Sequence, residues 1–203
     1  MKEYEMFQRL ALAVLVAAAT LPAFAAPQTY KIDPGHTSVV ASWNHFGFSN
    51  PVANFGGADG SIVYDPANVG ASSVNVTLPL ASLDTHVPKL DTHLRSSDFF
   101  DAEKFPTITF KSTKVESAGE NKLKVSGDLT VHGVTKPAVL DVTINKVGEH
   151  PMAKQPAAGF DATTTLKRSE FGVGAYVPNV SDEIKIRITT EGMAAKAGAA
   201  KAK

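Results

Sequence analysis

The sequence predicts an all-β protein whose strands form a closed antiparallel barrel. The main observation is that apolar residues recur at every second position through most of the chain. Residues 122–132 place four apolar side chains on one face: Leu123, Val125, Leu129 and Val131. The other face of this segment is polar. Such alternation is typical of half-buried antiparallel strands, with one face toward a core and the other toward water.

Strand-like segments are numerous, and turn-forming residues such as Asp65-Pro66, Gly119 and Gly133 separate many of them. Eight or nine strands without a second helical layer imply either a closed barrel or a sandwich. A barrel is favoured because several segments have ten or more residues, and long unpaired edges promote aggregation. The predicted segments are 28–33, 37–46, 54–64, 72–80, 106–117, 121–132, 136–147, 158–168 and 182–191.

One helical segment interrupts the strands within residues 83–100, between the fourth and fifth predicted strands. Asp84 or Thr85 is expected to cap it, and Pro88 is compatible with its first turn. A helix over a barrel mouth needs an apolar underside. Three phenylalanines that follow the helix are candidates for that surface: Phe99, Phe100 and Phe105.

Three regions divide the chain. Residues 1–25 resemble a secretory signal peptide, with basic residues at positions 2 and 9, an apolar run over 10–19 and a small-residue site at Ala23-Phe24-Ala25. A retained membrane helix is the alternative, but the run is shorter than the roughly 20 apolar residues that a bilayer requires. Residues 26–191 form the predicted barrel domain. The Ala/Lys tail, 192–203, is expected to be disordered.

Composition excludes several classes of protein. The chain has no cysteine, so disulfide-stapled scaffolds, thiol catalysis and thiolate metal sites are excluded. Residues 26–191 carry 15 basic and 18 acidic side chains and no basic patch, so nucleic acid is not an expected partner. Beyond the leader, no apolar run is long enough to span a bilayer, and we expect no stable membrane insertion.

Motifs for metal binding or catalysis are weak. Leu-Asp-Thr-His occurs at 83–86 and again at 90–93, and His86 and His93 would share a face only if one helix contained both. Pro88 argues against that helix, so we expect no metal site. The sequence also lacks the G-x-S-x-G, S-x-x-K, H-E-x-x-H and P-loop motifs. A catalytic triad assembled from distant residues remains open.

Four sequence blocks resemble those of a known protein family. The blocks YKIDPGHTSV (30–39), HLRSSDFFDAEKFPTITF (93–110), GDLTVHGVTKP (127–137) and DEIKIRITTE (182–191) occur in this order. With them the chain resembles the bacterial YceI-like, polyisoprenoid-binding periplasmic proteins. This resemblance implies an extended eight-stranded, lipocalin-like barrel that holds a long apolar ligand, such as an isoprenoid chain or a quinone, in its lumen. It also implies a periplasmic, non-enzymatic binding protein without a cofactor other than that ligand.

The expected ligand contacts follow from the resemblance and from the aromatic blocks. His93, Arg95 and Asp98 are either a polar rim for a headgroup or structural hydrogen-bonding residues. An enzyme acting on prenyl lipids and a filled-barrel stress or structural protein are the alternatives, and the chain is expected to be a monomer or homodimer. The predicted ligand-binding residues are Trp43, His45, Phe46, Phe48, Phe55, His93, Leu94, Phe99, Phe100, Phe105, Phe110, Phe160, Arg168, Phe171 and Tyr176.

Export with cleavage is the first testable prediction. The short apolar run and the Ala-x-Ala site predict that the mature chain begins at Ala26 or within a few residues of it. N-terminal sequencing of protein from its native host checks this expectation. A chain that retains Met1 and fractionates with membranes would contradict it.

Overall fold

Ten β-strands and one α-helix form the main elements of residues 27–194, the part of the chain that this computed structural model describes. The predicted signal peptide and residues 195–203 lie outside the described range. Helix α1 spans Pro88–Arg95. The strands are β1 Gln28–Ile32, β2 Ser38–Ser42, β3 Val52–Phe55, β4 Asp59–Tyr64, β5 Ser73–Pro79, β6 Thr107–Gly119, β7 Lys122–Val131, β8 Val134–Glu149, β9 Pro156–Lys167 and β10 Glu183–Met193.

The strands close into an eight-stranded antiparallel barrel, as predicted. Consecutive strands from β4 to β10 pair with one another, and β1 pairs with both β4 and β10. The closing pairs join Lys31 to Met193 and Ile32 to Gly192. Strand β2 pairs with β10 farther along, and β3 pairs with β2. Strands β1 and β2 therefore act as one interrupted barrel strand, and β3 and β4 act as another.

The helical insertion occupies one end of the barrel. It lies between β5 and β6, the strands of the fourth and fifth predicted segments. Strands β5, β7 and β9 finish at this end, and β6, β8 and β10 begin there. The connections 43–51, 80–106 and 168–182 cover it, and we call it the mouth end.

Two predicted strands differ in the structure. The segment predicted over 37–46 is a strand only over Ser38–Ser42, and the segment 54–64 divides into β3 and β4. The division falls at Gly57, whose φ of +64° belongs to the left-handed region that favours glycine. A strand cannot continue through that conformation, so alternation alone did not reveal the break.

The predicted helix cap was also wrong. Val87 precedes the helix and makes no side-chain cap, whereas Pro88 occupies the first turn as expected. The polar contact runs in the opposite direction. Asp91 in the first turn accepts hydrogen bonds from the backbone nitrogen and hydroxyl of Thr85, at 2.7 and 2.6 Å. Both bonds lower the pKa of the Asp91 carboxyl, and the bond from the Thr85 hydroxyl has the larger effect.

The barrel domain ends later than residue 191, its predicted end. Strand β10 continues to Met193, and the Ala194 nitrogen donates to the Pro156 carbonyl at 2.8 Å. Gly192 lies at the closing seam, where an added Cβ would be 2.8 Å from the Lys31 carbonyl oxygen. Small residues therefore belong to the barrel here because the strands approach closely, although their composition suggested a disordered tail.

A polar cluster of Asp33, His36 and Glu191 joins the connection between β1 and β2 to β10, and we call it the seam clasp. His36 Nδ1 lies 2.9 Å from Asp33 Oδ2 and 3.4 Å from Glu191 Oε1, and the Asp33 backbone nitrogen donates to the Glu191 carbonyl at 2.9 Å. The Asp33 hydrogen bond, followed by the Glu191 charge, raises the pKa of His36. The same bond, with one from Gly35, lowers the pKa of Asp33.

The seam clasp predicts a pH-dependent contribution to stability. Because the folded pKa of His36 lies above its ordinary 6.5, the stabilisation is complete below pH 6.5 and is lost as pH rises through the raised value. Asp33 limits the acidic side, since its contribution is present above its ordinary pKa of 3.8 and is lost as pH falls through the lowered value.

His36→Gln keeps a hydrogen-bonding group but cannot titrate. We expect the wild-type protein to exceed this variant in urea-unfolding midpoint most strongly between about pH 4 and 6.5, with the difference shrinking toward about pH 9. Comparing each variant with wild type at the same pH removes the contribution of the other histidines. Parallel curves across this range would show that the clasp does not titrate with folding.

Candidate functional site

The barrel interior contains an elongated cavity of about 900 Å³. This volume lies toward the upper end of the roughly 300–1,000 Å³ found for small-molecule sites. Along β7 its lining runs from Leu123 to Val131, eight residue steps, or about 27 Å at the rise of an antiparallel strand. Within residues 27–194 the lining contains no lysine, aspartate or glutamate. The space suits a long apolar molecule.

Alternation in the strands creates the apolar wall. The inward residues of β10 include Ile184, Ile186 and Ile188, and the residues between them face outward. At the end away from the mouth, the rings of Tyr64 and Phe160 meet edge to face at 5.9 Å. They come from strands that are not neighbours in the barrel, so their contact crosses the interior. The wall therefore closes inward at this end.

Phe110 lines the middle of the cavity and is almost fully buried. Gly127 on the adjacent strand leaves room for its ring, since an added Cβ there would be 2.5 Å from the ring's Cζ atom. The missing side chain at Gly127 therefore fixes where the Phe110 ring can lie. A glycine in the middle of a predicted strand was the sequence signal for this close approach.

The cavity reaches solvent at the mouth end. Phe46, Val87 and Tyr176 line it and yet expose 50, 51 and 61% of their surfaces. Large apolar side chains that are exposed together and continue into a cavity are typical of a ligand entrance. The exposed edge of the lining is therefore the route by which an apolar molecule could enter.

Two connections form one side of the mouth, and we call 43–51 and 172–182 together the lip. A bridge pairs His45 with Val180, and the Phe46 nitrogen donates to the Asn179 carbonyl at 2.9 Å. Phe46 and Tyr176 have φ angles of +53° and +66°, an uncommon conformation for large side chains that costs on the order of 1–3 kcal/mol. The hydrogen bonds between the connections hold these two aromatic residues at the entrance.

Arg168 organises the lip from beneath. Its guanidinium donates hydrogen bonds of 2.6–2.9 Å to four backbone carbonyls, which belong to Val173, Ala175, Val180 and Ser181. Burial lowers the pKa of this group, but arginine remains protonated in proteins. Arg168 was predicted as a ligand contact. It does line the cavity, but four of its five N–H groups are used within the protein, so it mainly positions the lip.

An aromatic group connects the helical insertion to the lip. His93 meets Phe99 edge to face at 5.0 Å and Tyr176 at 6.3 Å, and Phe99 lies 6.1 Å from Tyr176. We call these three side chains the mouth trio, and all of them line the cavity. The trio bridges the entrance between residues far apart in sequence.

Three polar residues of the insertion, His93, Arg95 and Asp98, have different positions relative to the cavity. Arg95 donates to the Leu83 carbonyl at 2.9 Å, a structural contact within the insertion. His93 Nε2 lies 3.5 Å from Asp98 Oδ2, and the Asp98 side chain is largely exposed. Asp98 is absent from the lining itself. His93 therefore faces the cavity, Asp98 places a carboxylate behind it, and Arg95 supports the fold.

Thirteen of the fifteen predicted ligand-binding residues line the cavity. Two do not. Phe48 belongs to the lip but is 92% exposed, because a tight turn, closed by the bond from its nitrogen to the His45 carbonyl, keeps its side chain out of the cavity. The residues that the structure brings together on the cavity are Trp43, His45, Phe46, Phe55, His93, Leu94, Phe99, Phe100, Phe110, Phe160, Arg168, Phe171 and Tyr176.

Phe105 was predicted to face the ligand and instead packs on the β7–β8 hairpin. Its ring meets the His132 ring edge to face at 4.9 Å and lies where a Cβ on Gly133 would be 2.4 Å away. Lys104 Nζ lies 5.1 Å from the ring centroid. The ring thus anchors the end of the insertion to the outside of the hairpin.

Sequence reasoning missed most of the aliphatic wall. The signal was present, because the same alternation that predicted the strands also marks the inward positions. Those positions were interpreted as core, whereas in a hollow barrel the core face and the ligand face are the same surface. The missed wall residues include Val39, Val76, Leu123, Val125, Leu140, Val142, Ile184, Ile186 and Ile188.

The one group of three metal-capable side chains found in the described residues does not line the cavity. The interpretation that Pro88 keeps the first Leu-Asp-Thr-His copy outside the helix is confirmed, and His86 is exposed with a φ of +61°. Among residues 27–194, only the seam clasp brings three such side chains within 4.8 Å of one another. Its ligand atoms already bond to one another. None of the helices in this described range is long and apolar enough to cross a membrane.

Comparisons with known proteins agree with the fold. A sequence model of the YceI-like domain matches residues 30–192. A UPF0312 protein from Vibrio cholerae is 40% identical over 181 residues, which are 88% of this chain and 94% of that protein. A UPF0312 protein from Photorhabdus laumondii is 40% identical over 169 residues, which are 82% and 87% of the two chains.

Solved structures show the same architecture. BcnA from Burkholderia cenocepacia has a TM-score of 0.72 and 27% identity, covering 79% of this chain and 99% of that one. The YceI protein of Campylobacter jejuni has a TM-score of 0.68 and 33% identity, covering 75% and 90%. A polyisoprenoid binding domain from Saccharophagus degradans has a TM-score of 0.64 over 83% and 99% of the two chains, but at 13% identity it shows a shared fold alone.

The position of Arg168 predicts that it holds the lip in place. Arg168→Met removes four charge-assisted hydrogen bonds, each of which contributes about 1.5–3 kcal/mol. We expect amide hydrogen exchange over residues 173–181 to accelerate about tenfold or more. Arg168→Lys should recover only part of the protection, because one ammonium cannot reproduce the planar fork.

Arg187→Met is the matched control, since Arg187 projects from the outer face of β10. If amide exchange in the lip of the Arg168→Met variant were unchanged and ligand binding were weaker, Arg168 would instead contact the ligand directly.

Proposed function

Because the chain belongs to the YceI-like family, we propose that it binds a long apolar isoprenoid lipid, such as a polyprenyl chain or a quinone, within its barrel. The observation that carries this proposal is the elongated cavity of about 900 Å³, whose lining is apolar and lacks lysines and carboxylates. A compact polar metabolite would leave most of this wall without contacts.

Burial of hydrocarbon alone can supply the affinity. Each buried methylene contributes about 0.8 kcal/mol, so a chain extended along a wall about 27 Å long can bind tightly with few polar contacts. The cost of ordering a flexible chain offsets part of this gain. A largely preformed apolar tunnel therefore favours a long, thin ligand over a short one.

We propose binding without catalysis. General acid–base chemistry needs a positioned proton donor or acceptor within hydrogen-bonding reach of the reacting atom. The polar candidates His45, His93 and Arg168 come from three separate segments, and most donors of Arg168 already bond to the lip. An apolar wall without carboxylates supports a carrier or reservoir more than a hydrolase.

We further propose that the protein acts in the periplasm. The support is the leader-like sequence of residues 1–25. A carrier in that compartment would keep an isoprenoid chain out of water between membranes.

Substitutions in the cavity test the proposed function. Phe100→Asp and Phe110→Asp place a carboxylate on the apolar wall, which costs several kcal/mol unless the group is neutralised. We expect both variants to lose the lipid that co-purifies with the wild-type protein, as measured by mass spectrometry of solvent extracts. The lipid recovered from wild type should be chemically unchanged.

Phe48→Asp is the matched control, because the same substitution is made at a phenylalanine outside the cavity. Ala162→Phe tests the volume without adding charge, since Ala162 lies on the inner wall. Circular dichroism establishes folding in each case. Folded cavity variants that keep a full lipid load would show that the ligand lies elsewhere, and conversion of an added prenyl ester by wild type would favour an enzyme.

A further inference from the structure

The cavity has almost no free positive charge to offer a ligand. Within the described residues, its lining contains no lysine, and Arg168 is its only arginine. That guanidinium already donates hydrogen bonds to four backbone carbonyls of the lip. Proteins usually hold phosphate groups with free Arg or Lys side chains or at helix N-termini. In the described part of the chain, the cavity wall has no free Arg or Lys side chain of this kind.

The N-terminus of helix α1 is also poorly suited to binding a phosphate. Helix α1 begins at Pro88, which has no backbone N–H to offer an anion. Its first turn also contains Asp91, whose carboxylate bonds to Thr85 and carries negative charge because the pKa is lowered. An incoming phosphate would therefore meet a carboxylate at this terminus.

The surroundings of the mouth are acidic as well. The connections 43–51, 80–106 and 168–182 contain four basic and seven acidic side chains, a net charge of −3. A carboxylate oxygen of Asp98 lies 3.5 Å from the Nε2 atom of His93, and His93 lines the entrance. Like charges at an entrance repel an anionic ligand before it is desolvated.

Imidazole and phenol groups are the hydrogen-bonding groups that the entrance does provide. His45, His93 and Tyr176 line the cavity there, and each offers a ring nitrogen or a hydroxyl. The three rings of the mouth trio also contact one another there, with centroids 5.0–6.3 Å apart. Such a rim suits a carbonyl, hydroxyl or ether oxygen at the end of an apolar chain.

We infer that the mouth selects isoprenoid lipids with an uncharged, oxygen-bearing headgroup and discriminates against prenyl diphosphates through its negative charge. This inference rests on the proposed function and names the ligand class within it. A diphosphate would have to place several negative charges near Asp98 and Asp91, and the only cation in the cavity lining of the described residues, Arg168, already donates to backbone carbonyls. An alcohol or a quinone of equal chain length carries no such penalty.

The experiment compares geranylgeraniol with geranylgeranyl diphosphate, which share one hydrocarbon chain. Trp43, the only tryptophan of the protein, lines the cavity and reports binding by its fluorescence. We expect delipidated wild-type protein to bind the alcohol at least about tenfold more tightly than the diphosphate, or about 1.4 kcal/mol.

Charge reversal at the mouth separates electrostatic selection from the different water solubilities of the two probes. Asp98→Lys should lower the ratio of the diphosphate dissociation constant to that of the alcohol at least about threefold, because solubility is the same for both proteins. Glu120→Lys makes the same charge change in the β6–β7 turn, at the far end of the barrel, and should leave the ratio unchanged.

Each outcome decides the inference. Diphosphate binding as tight as alcohol binding in wild type would overturn it while leaving the lipid-binding function intact. A ratio that Asp98→Lys does not change, or that Glu120→Lys lowers equally, would overturn the role of the mouth charge. If neither probe binds and the wild-type protein also purifies without lipid, the proposed function falls and the inference falls with it.

Discussion

Closure of the barrel between β1 and β10 is the constraint on which the rest of the structure depends. A hollow barrel lacks the continuous core packing that stabilises most domains, so its closed ladder of backbone hydrogen bonds has to hold the wall together. Only Lys31 and Ile32 of β1 make the closing pairs, and Gly192 permits the close approach. The seam clasp adds polar contacts beside these pairs. A cavity of this size exists because the ladder around it is complete.

Sequence alternation predicted the strands and the barrel, because a two-residue period directly records which side chains face inward. It could not show whether the inward side chains meet one another or leave space, since Leu123 or Ile186 reads the same in either case. Conformations that depend on single residues were also hidden. The break at Gly57 depends on a left-handed backbone conformation, and the continuation of β10 through Gly192 depends on the close approach of β1, a strand distant in sequence.

Aromatic residues were good but imperfect indicators of the cavity. Phe99 and Phe100 face it and Phe105 does not, although all three follow the same helix. The deciding feature is Gly133, whose missing side chain opens a place for the Phe105 ring on the opposite face of the wall. Arg168 was identified as important without its role, because the carbonyls that converge on it come from a connection whose path no local pattern specifies.

Under the proposed function, affinity and selectivity come from two different regions of the barrel. The wall is largely apolar, so binding strengthens with the hydrocarbon area buried and discriminates little between chains of equal length. The mouth has the opposite character. Its lip is held by directional hydrogen bonds to Arg168, and two of its aromatic residues adopt a strained backbone conformation. If the mouth selects by charge as inferred, a single carboxylate such as Asp98 affects the choice of lipid more than any one residue of the much larger wall.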